Sequence, residues 1–110
     1  MKSKIMYIEL KTHSDGHNDR GPARIGRVTL NRTGKTLTYR GKRFQKGGTD
    51  TCANYHEVDS RDGYWISGPK KNGQDRHPSG GGPVEIDEDV REEYWTEIRK
   101  QPERANEELA

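Results

Sequence analysis

Apolar side chains recur at every second residue over most of this chain and change to a four-residue spacing once, after Ile86. That change constrains the fold more than any other feature. Met6, Ile8 and Leu10 alternate with Tyr7, Glu9 and Lys11, the period-two pattern of a half-buried strand. Alternation resumes over Arg24 to Leu30, with Gly26, Val28 and Leu30 on one side and Ile25, Arg27 and Thr29 on the other. It returns over Lys35 to Tyr39, where Leu37 and Tyr39 share a side. Asn31-Arg32-Thr33-Gly34 supplies the turn between these two runs. Arg40-Gly41-Lys42 breaks the third run tightly, and Arg43-Phe44-Gln45 reads as its hairpin partner. Asn54 to Val58 and Tyr64 to Ser67 are aromatic, β-prone runs around a turn that ends in Asp62-Gly63. Pro83 to Ile86 is a last short strand.

Beyond Ile86, Asp87 stands at a helix N-cap position, and Glu88 and Asp89 suit the positive end of a helix dipole. Val90, Tyr94 and Ile98 then form a stripe that Trp95 widens, which predicts an amphipathic helix over 87–101, stopped by Pro102. Residues 102–110 are expected to fray as an acidic tail. The expected fold class is mostly β (α+β): a single domain, 1–101, built as a small antiparallel β-barrel or bent sheet of about six strands. One C-terminal α-helix covers an open end or edge.

Such a barrel has to be held by a small core, because hydrophobic residues are 26% of the 110 and charged residues 35%. The longest apolar-rich run, Ile5 to Leu10, is far short of the roughly 20 residues of a membrane span. Cys52 is the only cysteine, which excludes a disulfide scaffold. Met1-Lys2-Ser3-Lys4 is basic but precedes no apolar signal core, so the expected setting is soluble and cytoplasmic, with no membrane partner.

Net charge is +2, yet the two signs are segregated. Residues 1–83 carry 16 Lys and Arg against 8 Asp and Glu, whereas residues 84–110 carry 4 against 10. Arg20, Arg24, Arg27, Arg32, Lys35, Arg40, Lys42, Arg43 and Lys46 follow one another with no carboxylate between them. Such a stretch is either the footprint of a polyanion or a set of solvated strand positions that the acidic C-terminal segment neutralises.

Catalytic and metal chemistry find little support. His13, Asp15, His17 and Asp19 alternate in a polar loop, but nothing fixes four ligands, and the calcium-loop positions for Gly and Glu are unfilled. No metal site or cofactor is therefore expected. Gly34-Lys35-Thr36 resembles the end of a phosphate-binding loop but lacks its earlier glycine and a following helix, and Gly80-Gly81-Gly82 lacks the dinucleotide-binding spacing. Cys52 and His56, four apart on a strand, would stand about 13 Å from one another, too far for direct proton transfer. His56 and His77 with Lys70, Lys71 and Arg76 are a remaining acid–base set for cleaving a phosphodiester without metal.

The strongest local signal runs from Tyr64-Trp65-Ile66-Ser67 into Gly68-Pro69-Lys70-Lys71, with Arg76 and His77 further along. An aromatic strand entering a basic loop lets a base stack on a ring while Lys and Arg meet phosphates. By alternation one of Tyr64 and Trp65 faces inward and the other is left for a ligand or the helix. Gly68 to Pro83 has no apolar side chain apart from its prolines, the mark of a functional or disordered loop.

Gly21-Pro22-Ala23-Arg24-Ile25-Gly26-Arg27, Thr33-Gly34-Lys35-Thr36, the stretch Tyr64 to Arg76 and Val84-Glu85-Ile86-Asp87 with Glu92-Glu93-Tyr94-Trp95 resemble a family of short uncharacterised bacterial proteins. Its members share a Tyr-Trp-Ile-Ser-Gly-x-Lys-Lys-x-Gly-x-Asp-Arg motif and sometimes carry the label 1-deoxy-D-xylulose-5-phosphate synthase. That label is not carried over, because the Gly-Asp-Gly motif of the thiamine-diphosphate enzyme is missing: Ser14 precedes Asp15 and Arg61 precedes Asp62. The resemblance implies a bacterial, cytoplasmic setting and no particular activity.

The leading expectation is a non-catalytic binding module that meets nucleic acid through Arg27, Arg40, Lys42, Arg43, Tyr64, Trp65, Lys70, Lys71 and Arg76. The alternative is a protein-interaction module that uses the acidic helix or the Gly-rich loop. A small phosphodiester-cleaving enzyme stands third.

Overall fold

The computed structural model describes residues 2–10, 23–47, 53–73 and 84–110. The strands among them are β1 (Lys2–Leu10), β2 (Ala23–Leu30), β3 (Thr36–Tyr39), β4 (Lys42–Lys46), β5 (Tyr55–Glu57), β6 (Gly63–Ser67) and β7 (Val84–Ile86). β1 to β6 close into a ring in the order β1-β6-β5-β4-β3-β2, antiparallel throughout, with β1 paired to β2 to complete it. The chain thus forms the small six-stranded barrel that its alternation predicts. β7 is an addition lying parallel to β2, with Ala23 opposite Val84 and Ile25 opposite Ile86. It fits because β3 takes only Thr29 and Leu30 of β2, which leaves the first half of that strand free for a second partner.

Ile8, Val28, Leu37, Tyr39, Phe44, Tyr55 and Ile66 fill the barrel, with Met6, Leu30 and Tyr64 partly buried around them. A second cluster lies outside the barrel wall, where Ile5, Tyr7, Ala23, Ile25, Val84 and Ile86 meet Val90, Tyr94 and Trp95. β1 is therefore buried on both faces, which corrects the half-buried reading. Met6 and Ile8 look inward while Ile5 and Tyr7, on the opposite parity, lie under the helical segment. Glu9 is buried too and accepts a hydrogen bond from the Tyr7 hydroxyl.

The helical segment is shorter and less regular than the four-residue stripe predicts. A 3₁₀ turn, Glu88–Val90, leads into α-helix at Arg91–Glu93 and a π turn at Tyr94–Ile98, where Arg99 N–H donates to the Tyr94 carbonyl at 3.0 Å. The widened turn puts both Tyr94 and Trp95 fully inside. Lys100, in the left-handed region at φ 57°, stops the helix before Pro102 is reached. Pro102 instead opens a further 3₁₀ turn, Pro102–Arg104.

Asp87 precedes the helix as expected but makes no side-chain cap. Its carboxylate is used elsewhere. Residues 102–110 do not fray either: Ala110 N–H donates to the Val84 carbonyl at 3.0 Å, Ile86 N–H donates to the Glu108 carbonyl at 2.7 Å, and Glu85 bridges Leu109. The tail supplies the free edge of β7 with backbone partners, which side-chain patterning does not register.

Candidate functional site

One end of the barrel gathers the ends of β1, β2, β3, β4 and β6. β3 and β4 are joined by the two-residue turn Arg40-Gly41, both in the left-handed region at φ 51° and 80°. This is the geometry that matches the twist of a hairpin, and Gly41 accepts it freely. Arg40 does not, because its Cβ crowds the backbone there. The turn carries its guanidinium to within 4.0 Å of Asp87.

Asp87 is the centre of a buried network behind that turn. Its Oδ1 accepts from Arg24 Nε at 2.7 Å, and its Oδ2 accepts from the Tyr39 hydroxyl at 2.5 Å. Arg24 also donates to Glu85 Oε2 at 2.7 Å. Burial foremost, then the bond to Asp87, pushes the Tyr39 hydroxyl well above the usual tyrosine range. Burial opposes the charge on Arg24, but its bonds to Asp87 and Tyr39 outweigh that and keep its pKa above the ordinary value.

Two cavities flank this network and share Arg24, Tyr39 and Arg40 as a dividing wall. On the helix side is an open groove of about 720 Å³ in which Arg27, Arg40 and Arg91 face Glu85, Glu88, Asp89 and Glu108. Its charges are mixed. On the barrel side is a smaller cavity of about 190 Å³, floored by Ile8, Leu10, Phe44 and Tyr64 and rimmed by Arg24, Arg40 and Lys42. The Phe44 and Tyr64 rings meet edge to face at 4.9 Å. Burial raises the Tyr64 hydroxyl pKa, with Asp62 and Glu57 adding to the effect.

The described cations of the basic stretch differ in their partners. Arg24 and Arg27 are neutralised by the acidic segment, Arg27 through Glu93 at 2.7 Å. Arg32, Lys35, Lys42, Arg43 and Lys46 are exposed along and beside the β3–β4 hairpin, and among the described residues none lies within ion-pair distance of a carboxylate. The register places Arg43 beside Thr38 and Thr29, and Gln45 beside Thr36 and His56. The outer wall here is polar and uncharged apart from its cations.

Of the residues expected to form a binding surface, Arg40, Lys42, Arg43 and Tyr64 come together around β3 and β4. Tyr64 faces inward and Trp65 outward; Trp65 is 40% exposed and hydrogen-bonded to Ser67. Trp65 lies two strands from β4, on the order of 10 Å at the usual strand spacing. Lys70 and Lys71 are set apart, because Gly73 packs against Arg99 at the end of the helical segment. The expectations for Arg20, Arg76, His77, Cys52, the His13 to Asp19 loop and Gly80 to Gly82 lie outside the described residues. Among the described residues no cluster of His, Cys, Asp and Glu is arranged to hold a metal, and no helix is long and apolar enough to cross a membrane.

Sequence reasoning missed Arg24, Tyr39, Asp87 and Phe44 as site residues. Asp87 reads as an N-cap because its partners are 48 and 63 residues away. The one local signal is Gly26. A Cβ there would fall 2.5 Å from both Asp87 Oδ2 and Tyr39 Cε1, so the network needs a glycine beneath it. Comparison with protein-family models, with curated proteins and with solved structures returns no match.

Proposed function

We propose that this protein is a non-catalytic binding module whose β3–β4 hairpin engages the phosphate backbone of nucleic acid. The observation that supports it is the exposed set Arg32, Lys35, Arg43 and Lys46, with no carboxylate partner among the described residues, beside Lys42, whose charge acts on Glu57. A charge that gains no ion pair from its own chain loses nothing by turning to an external anion, whereas Arg24 and Arg27 would first have to leave theirs. A strand of five residues is roughly 16 Å long, enough to span two or three successive phosphates of an extended strand. The neighbouring Thr29, Thr36, Thr38 and Gln45 can donate to phosphate or sugar without reading a base, which favours weak sequence preference.

The test is the salt dependence of binding to a labelled oligothymidylate. Each contacted phosphate contributes about 0.7 to the slope of log affinity against log salt for a single strand. Replacing Lys35, Arg43 and Lys46 together by Ala is expected to lower that slope by about two while leaving thermal unfolding unchanged. Absence of binding at low salt by folded protein would overturn the reading. It would move the weight to a protein partner meeting the mixed-charge groove beside Leu109, which is 48% exposed.

A further inference from the structure

We infer that the mouth of the barrel between β1, β4 and β6 is a binding pocket for a single pyrimidine nucleotide, with the base on Tyr64 and Leu10 above the buried Phe44 and the phosphate on Arg40 and Lys42. Four observations carry this. The cavity is floored by apolar and aromatic side chains although such residues are scarce in this chain. A chain with so little apolar surface to bury leaves a recess of it open only against a cost, which a ligand's ring offsets.

Among the described residues, the polar groups lining the cavity, apart from the tyrosine hydroxyls, are the cations Arg24, Arg40 and Lys42, with no carboxylate. Arg24 is held by Asp87 and Glu85 at 2.7 Å, whereas Arg40 approaches Asp87 only to 4.0 Å and Lys42 acts on Glu57 without a hydrogen bond, so these two are the ones placed for a charge-assisted bond to an anion. Arg40 also occupies a left-handed backbone position where Gly or Asn is the ordinary choice. Unfavourable backbone at a cavity rim is a frequent companion of ligand contact. Finally, at about 190 Å³ the space falls below the roughly 300–1,000 Å³ of pockets for larger ligands, which fits one six-membered ring better than a purine.

The pocket meets the β3–β4 hairpin at Lys42, but its test varies Arg40 and Leu10 and leaves the cations Arg32, Lys35, Arg43 and Lys46 unchanged. Uridine 5′-monophosphate, ribose 5-phosphate and a short oligouridylate are titrated into the protein while the methyl signals of Ile8 and Leu10 are followed by NMR. Uridine monophosphate is expected to shift both methyls and to bind roughly tenfold or more tightly than ribose 5-phosphate, the difference being the base. Arg40→Gly removes the cation and relieves the backbone, so it is expected to weaken the nucleotide several-fold without lowering the melting temperature. Leu10→Phe fills the cavity and is expected to abolish the Ile8 shift.

If Leu10→Phe weakens the oligouridylate as well, the occupant is a nucleotide of a strand; if it weakens the monophosphate alone, the occupant is a free nucleotide. Either result supports the pocket. Equal binding of uridine monophosphate and ribose 5-phosphate, or shifts that miss Ile8 and Leu10, would overturn it. The oligothymidylate slope on the β3–β4 hairpin would then stand or fall separately.

Discussion

The Tyr39 hydroxyl donates to Asp87 Oδ2 directly above Gly26, where even a methyl group would lie 2.5 Å from both partners. This contact joins the last residue of β3 to the start of the helical segment, and it fills the place where β2 exchanges β3 for β7. A barrel strand that changes neighbours halfway leaves a gap. Here the gap is closed by one tyrosine, one aspartate and the Arg24 guanidinium.

Gly26→Ala is accordingly expected to destabilise the protein by about 1–3 kcal/mol, the usual range for overpacking a filled interior. Tyr39→Phe should cost about 1–2 kcal/mol, since it leaves a buried carboxylate oxygen without that donor. The two effects should not add, because each disturbs the same contact. A double-mutant cycle in urea reads the coupling directly, and strict additivity would separate Gly26 from the network.

Alkaline pH should expose the same network. Burial and then the Asp87 bond hold the Tyr39 hydroxyl well above its unfolded value of about 10. A group whose pKa is raised by folding stabilises the fold below its unfolded pKa, and that contribution disappears as pH rises above about 10. Urea midpoints of the wild type should therefore fall faster than those of Tyr39→Phe above that pH. Parallel declines would show that the hydroxyl carries no such linkage.

Acid titration addresses the opposite sign at Glu57. The Asp59 backbone N–H, foremost among several donors, lowers the Glu57 carboxyl pKa, and its Oε2 accepts from Asp59 N at 2.9 Å. A depressed carboxyl gives stability that is present above its unfolded pKa of about 4.3 and lost as pH falls through the folded value. Glu57→Gln should make the melting temperature less sensitive to acid below pH of about 4.5, measured against wild type by calorimetry. An unchanged acid slope would place the linkage in other carboxylates.

The barrel and its hairpins are legible in the sequence because each strand has a small set of inward residues at alternate positions: Leu37 and Tyr39, Phe44, Tyr55, Tyr64 and Ile66. The outer layer is harder to read. Ile5-Met6-Tyr7-Ile8 is an unbroken apolar run, the signature of burial on both faces, but Glu9 and Lys11 draw attention to the alternation instead. The parallel attachment of β7 and the return of the tail to it rest on backbone hydrogen bonds, and these leave no side-chain pattern. Arg24 and Asp87 belong to segments of opposite charge, and segregation alone does not say which members of each will pair. That choice follows from the register Ala23↔Val84, which sets Arg24 beside Glu85 and close to Asp87.

Tyr94 and Trp95 close the outer layer with complementary means. Tyr94 is fully buried, and Trp95 is also buried but lies under two guanidinium groups, Arg99 at 4.8 Å and Arg104 at 4.2 Å from its ring centre. Tyr94→Ala is expected to cost about 3–5 kcal/mol, more than Ile98→Ala, whose side chain is only partly buried. Trp65 is 40% exposed and Trp95 is not exposed, so iodide should quench Trp65 fluorescence alone. Removal of the quenchable fraction by Trp65→Phe checks that assignment.

The division of the basic stretch yields a final prediction that separates paired from unpaired cations. Arg27 donates to Glu93 at 2.7 Å on the helix side, whereas Arg43 points outward from β4 with no ion-paired carboxylate among the described residues. Counterion release counts only charges that meet a phosphate, so Arg43→Ala should lower the oligothymidylate salt slope by about 0.7 and Arg27→Ala should leave it unchanged. Glu93→Gln tests the converse. It frees Arg27 at an exposed site where the ion pair itself contributes little to stability, about 0–1 kcal/mol. If Arg27 then reaches the strand, the slope rises by the same increment; if it stays constant, the bound strand keeps to β3–β4 and does not approach the helical segment. An Arg27→Ala effect as large as that of Arg43→Ala would instead mean that the acidic segment is displaced on binding.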